Sequence, residues 1–133
     1  MRNSYDLLIQ KATELSTPKP LTPEAVSGYA GSALVTEKGN IYTGKSLTGS
    51  CGIGFCGEVG AVLDMLKHGE TRIEAVVTVS NDHKLMPPCG RCRELIYEID
   101  RKNLDTEMPL EGNRVVKLRD IFLERWQELW EAE

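Results

Sequence analysis

Apolar residues in the first stretch of the chain recur at helical spacing, with Tyr5, Leu8, Ile9, Ala12 and Leu15 on one side. This predicts an amphipathic helix over residues 4–16, capped by Asn3 or Ser4. Pro18, Pro20 and Pro23 end it, since none can donate a helical hydrogen bond. The period then changes. Gly31-Ser32-Ala33-Leu34-Val35-Thr36 reads as a strand, Lys38-Gly39-Asn40 as a turn, and Ile41-Tyr42-Thr43 as the returning strand of a hairpin. Residues 49–57, Gly-Ser-Cys-Gly-Ile-Gly-Phe-Cys-Gly, form a flexible loop that runs into a helix carrying Val59, Ala61, Val62, Leu63, Met65 and Leu66, closed by Gly69.

Ala75-Val76-Val77-Thr78-Val79 is a continuous apolar run of strand length, the pattern of a central strand covered on both faces. A loop over 81–88 follows. After Pro87-Pro88 a helix spans about 90–100, with Cys92, Leu95, Ile96 and Ile99 toward the core. A further strand lies near 104–109, Glu111-Gly112-Asn113 turns the chain, and Arg114-Val115-Val116 extends it again. A last helix is predicted over about 118–130, with Ile121, Phe122, Trp126 and Trp130 near one face. The order α-β-β-α-β-α-β-β-α implies an α/β fold with helices on both faces of a mixed sheet.

The chain has 133 residues, 41% hydrophobic and 27% charged, enough for one domain with a buried core and a walled pocket. No linker or internal repeat divides it, so residues 1–133 read as a single domain. Twenty acidic residues stand against sixteen basic ones, for a net charge of −4. No basic run is present, which disfavours nucleic acid as a partner. The apolar windows fall well short of the roughly 20 residues that span a bilayer, and the first residues do not resemble a signal peptide. The expectation is a cytoplasmic protein without a membrane partner. Thiols stay reduced there, so the four cysteines read as metal ligands or redox groups before they read as disulfides.

Two of the predicted helices open on cysteine. Cys56-Gly57-Glu58 begins one and Pro88-Cys89-Gly90-Arg91-Cys92 the next, with one buried strand between them. If the two helices follow neighbouring strands, their N-termini share one edge of the sheet, where open α/β folds bind ligands. Cys56, Cys89 and Cys92 then converge on one Zn²⁺, with thiolates favoured by the positive ends of both helices. Three protein ligands leave a fourth position open, the arrangement of a catalytic zinc. Three thiolates also give the centre a net negative charge, and Arg91 and Arg93 are placed to offset it. Glu58, two residues past the first ligand, is set to lean over the open position as a proton shuttle. Cys-x-Glu followed 33 positions later by Pro-Cys-x-x-Cys matches the three-cysteine form of the zinc deaminase signature, in which the glutamate is acid and base but not a ligand.

At these residues the chain resembles the cytidine deaminase superfamily, and within it the small three-cysteine branch of cytidine deaminase and blasticidin-S deaminase. The likeness extends to Gly31-Ser32-Ala33-Leu34-Val35, Gly39-Asn40-Ile41-Tyr42-Thr43-Gly44 and Arg93-Glu94-Leu95. It implies a three-layer α/β/α sandwich around a five-stranded mixed sheet and a homotetramer whose neighbours help close each site. It also implies Cys56, Cys89 and Cys92 as ligands of one Zn²⁺ per subunit and Glu58 as acid/base. Backbone groups around Gly57, Pro87 and Pro88 would hold the pyrimidine edge. The implied reaction is hydrolytic deamination: a zinc-activated water attacks C4 of a cytosine ring, giving uracil and ammonia, as in pyrimidine salvage. Ser46 and Thr48 stand where family cytidine deaminases carry Asn and Glu for the ribose hydroxyls, which opens the reading to nucleoside analogues. Tyr29 is the nearest counterpart of an aromatic that stacks on the base.

Other readings remain open at this point. Cys89-Gly90-Arg91-Cys92 alone suits a dithiol redox motif. Cys51 joined to Cys56, Cys89 and Cys92 would make a closed four-cysteine structural zinc, turning the chain into a binding module. A nucleic-acid deaminase shares the catalytic core but needs a basic, aromatic-lined surface. His68 and His83 read as a helix-end and a loop residue, and Trp126 and Trp130 as core or subunit-contact anchors.

Overall fold

A computed structural model describes residues 3–131, with side chains from Tyr5 onward, so the predicted Asn3 or Ser4 cap lies outside the described side chains. The elements are α1 (Asn3–Glu14), β1 (Lys19–Pro20), β2 (Val26–Thr36), β3 (Ile41–Thr48), β4 (Gly54–Phe55), α2 (Gly57–Lys67), β5 (Ile73–Ser80) and β6 (Leu85–Met86). They continue with α3 (Gly90–Ile99), a 3-10 turn (Arg101–Asp105), β7 (Glu107–Leu110), β8 (Arg114–Lys117), α4 (Leu118–Ile121) and α5 (Glu128–Glu131). The sheet runs β4-β3-β2-β5-β7-β8, with β1 paired to β2 and β6 to β5. It is mixed: β5 is antiparallel to β2 and parallel to β7. It has eight strands and not the five expected, because β1, β4 and β6, of two residues each, add to five longer ones.

Strand alternation sorts the core onto two faces. Leu34 and Val76, paired across β2 and β5, turn to one side and pack against Ala61, Val62 and Met65 of α2 and Ile96 of α3. Ala33, Ala75 and Val77 turn to the other and meet Tyr5, Leu8 and Ala12 of α1. The result is three layers, α1, sheet, then α2 with α3. Each fully buried Leu or Val adds about 1.5–3 kcal/mol of hydrophobic stabilisation.

Two details seat the helices on the sheet. A Cβ on Gly44 of β3 would collide with the carbonyl oxygen of Gly57 and lie 2.7 Å from the backbone nitrogen of Ala61, so only glycine lets the first turn of α2 rest on the sheet. The buried amide of Asn103 accepts from Ile73 N (2.8 Å) and donates to Ile96 O and Thr71 O (2.9 Å each), tying the end of α3 to the start of β5. At the far end of α2, buried Glu70 accepts from Asn40 Nδ2 (2.8 Å) and the Tyr42 hydroxyl (2.9 Å), which fixes the β2–β3 turn against the helix.

Several expectations change. β2 starts at Val26, with a register shift between Ser27 and Gly31 against β3. The 81–88 loop contains β6, which pairs with β5. The strand expected near 104–109 loses its first residues to the 3-10 turn Arg101–Asp105 and begins at Glu107. The helix expected over 118–130 is broken between Ile121 and Glu128. Its carbonyls explain the break: Ile121 O accepts from Arg93 Nη1 (2.8 Å) and Phe122 O from Arg125 Nη1 (2.6 Å), drawing on acceptors that a continuing helix would use. Trp126 and Trp130 accordingly sit outside the core, 54% and 62% exposed and packed edge-to-face on each other.

Candidate functional site

The strands leading to the two cysteine-bearing helices, β4 and β6, are not neighbours: β4 pairs with β3 and β6 with β5, and β2 lies between β3 and β5. Their helix starts nevertheless meet. Cys56 and Cys89 occupy the N-cap positions of α2 and α3, both in extended backbone conformation (ψ 156° and 170°). Cys92 follows in the first turn of α3 and is 1% exposed. The Sγ atoms of Cys56 and Cys89 are 3.3 Å apart, and all three sulfurs lie within 4.8 Å of one another. A tetrahedral Zn²⁺ with Zn–S bonds of about 2.3 Å spaces its sulfurs by about 3.8 Å, so the donor set and its spacing fit the ion.

The electrostatics point the same way. Burial first, then the carboxylate of Glu58 and the other two sulfurs, pushes the Cys92 thiol far above its usual range. Burial also raises Cys56, reinforced by its bond to Cys89. Burial alone would raise Cys89, but the backbone N–H groups of Cys92 and Arg91, together with the other two sulfurs, outweigh it and bring that thiol down. Three sulfurs and a carboxylate crowded at two helix starts repel one another as anions, and a divalent cation removes the conflict.

Glu58 sits in the first turn of α2, only 2% exposed. Its Oε2 accepts from the Thr78 hydroxyl at 2.8 Å, and Thr78 Oγ1 lies 3.1 Å from Ser32 Oγ. Neither hydroxyl is singled out by sequence reading. The signal was available: each interrupts an apolar strand run, and the two face each other across β2 and β5.

Glu58 lines a cavity of about 510 Å³ together with Cys56, Cys89 and Thr78. Ser46, Thr48, Gly57 and Pro87 also line it, as do Tyr29, Phe55, Asn81 and Arg91. The Ser46 hydroxyl accepts from Ala30 N at 3.0 Å, so the protein already uses part of its hydrogen-bonding capacity. Pro88 is not among the lining residues. Its carbonyl accepts from Arg93 Nε at 2.9 Å.

The two arginines of the cysteine motif diverge. Arg93 bridges Pro88 O and Ile121 O. Arg91 lies over the Phe55 ring at 5.7 Å and reaches Gly54 O at 3.4 Å, at the mouth of the cavity. Cys51 is exposed in a left-handed turn (φ 60°) and, among the described residues, is not part of the sulfur cluster. His68 bonds to Asp64 O at the end of α2, and His83 lies in the exposed 81–84 turn; neither lines the cavity.

No family model matches the chain. It is 28% identical to a cytidine deaminase of Mycobacterium tuberculosis over 86 residues, 64% of this chain and 65% of that one. It is 29% identical to a cytidine deaminase of Halalkalibacterium halodurans over 70 residues, 52% of this chain and 53% of that one. The matched stretch thus spans less than two thirds of the length of these relatives. Structural likeness extends further. The fold superposes on the M. tuberculosis cytidine deaminase with a TM-score of 0.75 at 22% identity, covering 92% of this chain and 96% of that one. For the Burkholderia pseudomallei cytidine deaminase the TM-score is 0.68 at 26% identity, covering 86% and 93%. The chain thus shares the fold of cytidine deaminases over nearly its whole length and is similar to them in sequence over about half to two thirds of it, with a sulfur triad gathered at two helix starts and a glutamate buried beside it.

Proposed function

We propose that the protein is a zinc-dependent hydrolase that deaminates the cytosine ring of a nucleoside or nucleoside analogue. One observation carries this reading: a buried carboxylate, Glu58, shares a cavity wall with sulfurs spaced for one metal ion. The likeness to proteins named cytidine deaminase supports it. Cys56, Cys89 and Cys92 would hold the Zn²⁺, which when bound supplies a Lewis acid that activates water for attack on C4. Glu58 takes a proton from the attacking water and delivers it to N3 of the ring, then passes the second to the departing amine. Water and a cytosine ring thus become uracil and ammonia. Gly57 and Pro87 border the ring, and Arg91 offsets thiolate charge at the mouth while Arg93 braces the Pro88 loop.

Ser46 and Thr48 border the sugar side of the cavity without a carboxylate, which favours an analogue or modified nucleoside over tight recognition of an unmodified ribose. The expected setting is the cytoplasm and pyrimidine salvage; among the described residues no helix is long and apolar enough to cross a membrane. A homotetramer fits the exposed Leu123, Trp126, Leu129 and Trp130, which a subunit contact would cover. Light scattering on the purified protein tests that assembly, and a monomer would contradict it.

The deciding experiment is an ammonia-release screen of the zinc-loaded protein over cytosine, cytidine, deoxycytidine and blasticidin S. Turnover of at least one nucleoside or analogue is expected. Absence of ammonia from all of them removes the proposal.

A further inference from the structure

We infer that Ser32 and Thr78 are a positioning pair that fixes the Glu58 carboxylate, and that Gly57 is glycine because this pair leaves no room for a side chain. The catalytic consequence rests on the deaminase reading; the geometry does not.

β2 and β5 meet in antiparallel register, with Leu34 opposite Val76 and Ser32 opposite Thr78. All four side chains share the face toward α2. Leu34 and Val76 belong to the apolar core there. One step along, where the same face passes the start of α2, the pair becomes two hydroxyls. Ser32 is 0% and Thr78 4% exposed. Buried hydroxyls among Ala, Leu and Val cost stability unless bonded, so their bonds explain their presence.

The directions of those bonds follow from the number of protons. A threonine hydroxyl has one hydrogen, and Thr78 donates it to Glu58 Oε2 at 2.8 Å. The 3.1 Å contact between Ser32 and Thr78 must then run from the Ser32 hydroxyl to the Thr78 oxygen. The chain is polarised toward the carboxylate. It occupies Oε2, holds a flexible side chain in one orientation, and leaves Oε1 as the oxygen that exchanges protons with water and ring.

Gly57 completes the device. A Cβ at that position would stand 2.8 Å from Ser32 Oγ and 3.2 Å from Gly44 O and Ser32 N. An alanine there would therefore turn the Ser32 hydroxyl off Thr78 and uncouple the chain.

Thr78→Val keeps the shape and removes the hydroxyl, and Thr78→Ser keeps the hydroxyl. With the substrate found by the ammonia screen, Thr78→Val should lose about 10–100-fold in kcat with KM changed less than about threefold and zinc content unchanged. Thr78→Ser should restore kcat to within a few-fold. Independently of activity, Gly57→Ala should lower Tm by about 2–6 °C in the parent and by clearly less in a Ser32→Ala background. The inference is overturned if Thr78→Val keeps full kcat, if Thr78→Ser is as impaired as Thr78→Val, or if Gly57→Ala costs the same in both backgrounds. A parent protein that deaminates nothing defeats the functional proposal instead, and the Tm comparison still decides the pairing of Ser32 with Gly57.

Discussion

The sulfur atoms of Cys56 and Cys89 lie 3.3 Å apart although the two residues stand 33 positions apart in the chain. Neither side chain caps its own helix. Both N-cap positions, which usually hold a residue whose oxygen binds the free N–H groups of the first turn, are given over to sulfur. Helix stability is surrendered at two places to gather donors at one.

Cys89→Ser and Cys92→Ser should therefore each lose bound zinc, and Cys51→Ser should keep it at about one ion per chain. Metal analysis of the purified variants decides this. Equal loss in Cys51→Ser would mean a closed four-sulfur site and a binding module.

Glu58→Gln preserves size and burial but cannot carry a proton. It should retain metal and fold while losing about 10²–10⁴-fold or more of turnover. Full ammonia release by this variant would remove Glu58 from the mechanism.

Gly44→Ala tests how closely α2 rests on the sheet. The added methyl meets the carbonyl of Gly57 and the amide of Ala61, both backbone atoms flanking Glu58. A destabilisation of about 1–3 kcal/mol is expected in denaturant unfolding, together with weaker metal retention. An unchanged midpoint would show that the helix start yields freely.

Glu70 offers a prediction in pH. Hydrogen bonds from Thr36, Asn40 and Tyr42 hold its carboxyl below the usual range against the opposing effect of burial. Its contribution is complete above the unfolded-state carboxylate value, about pH 4–5, and is lost as pH falls through the lower folded-state value. Glu70→Gln should thus melt below the parent at neutral pH, with the gap closing toward about pH 3. A gap that stays constant from neutral to acid would show that the charge plays no part.

Legibility in the sequence followed from how local each signal is. The gathering of the three cysteines and the place of Glu58 beside them were readable from motif spacing at two helix starts, and the layers from the continuous apolar run Ala75–Val79 and the helical spacing in Tyr5–Leu15. Ser32 and Thr78 escaped notice because each looks like a minor lapse in an apolar strand, and only the β2–β5 register brings them together under Glu58. The break after Ile121 was unreadable for a related reason. It depends on Arg93, 28 residues earlier, taking the Ile121 carbonyl. Composition likewise has no means of showing that β2 separates β3 from β5.

Arg93 is one position beyond a sulfur donor, yet its guanidinium clasps both the carbonyl just before Cys89 and the stretch that leads to Trp126. Glu94, on the same helix, accepts from Trp126 and Gln127, and Tyr97 packs on Phe122, so the tail of the fold is fastened to the cysteine-bearing helix at several points.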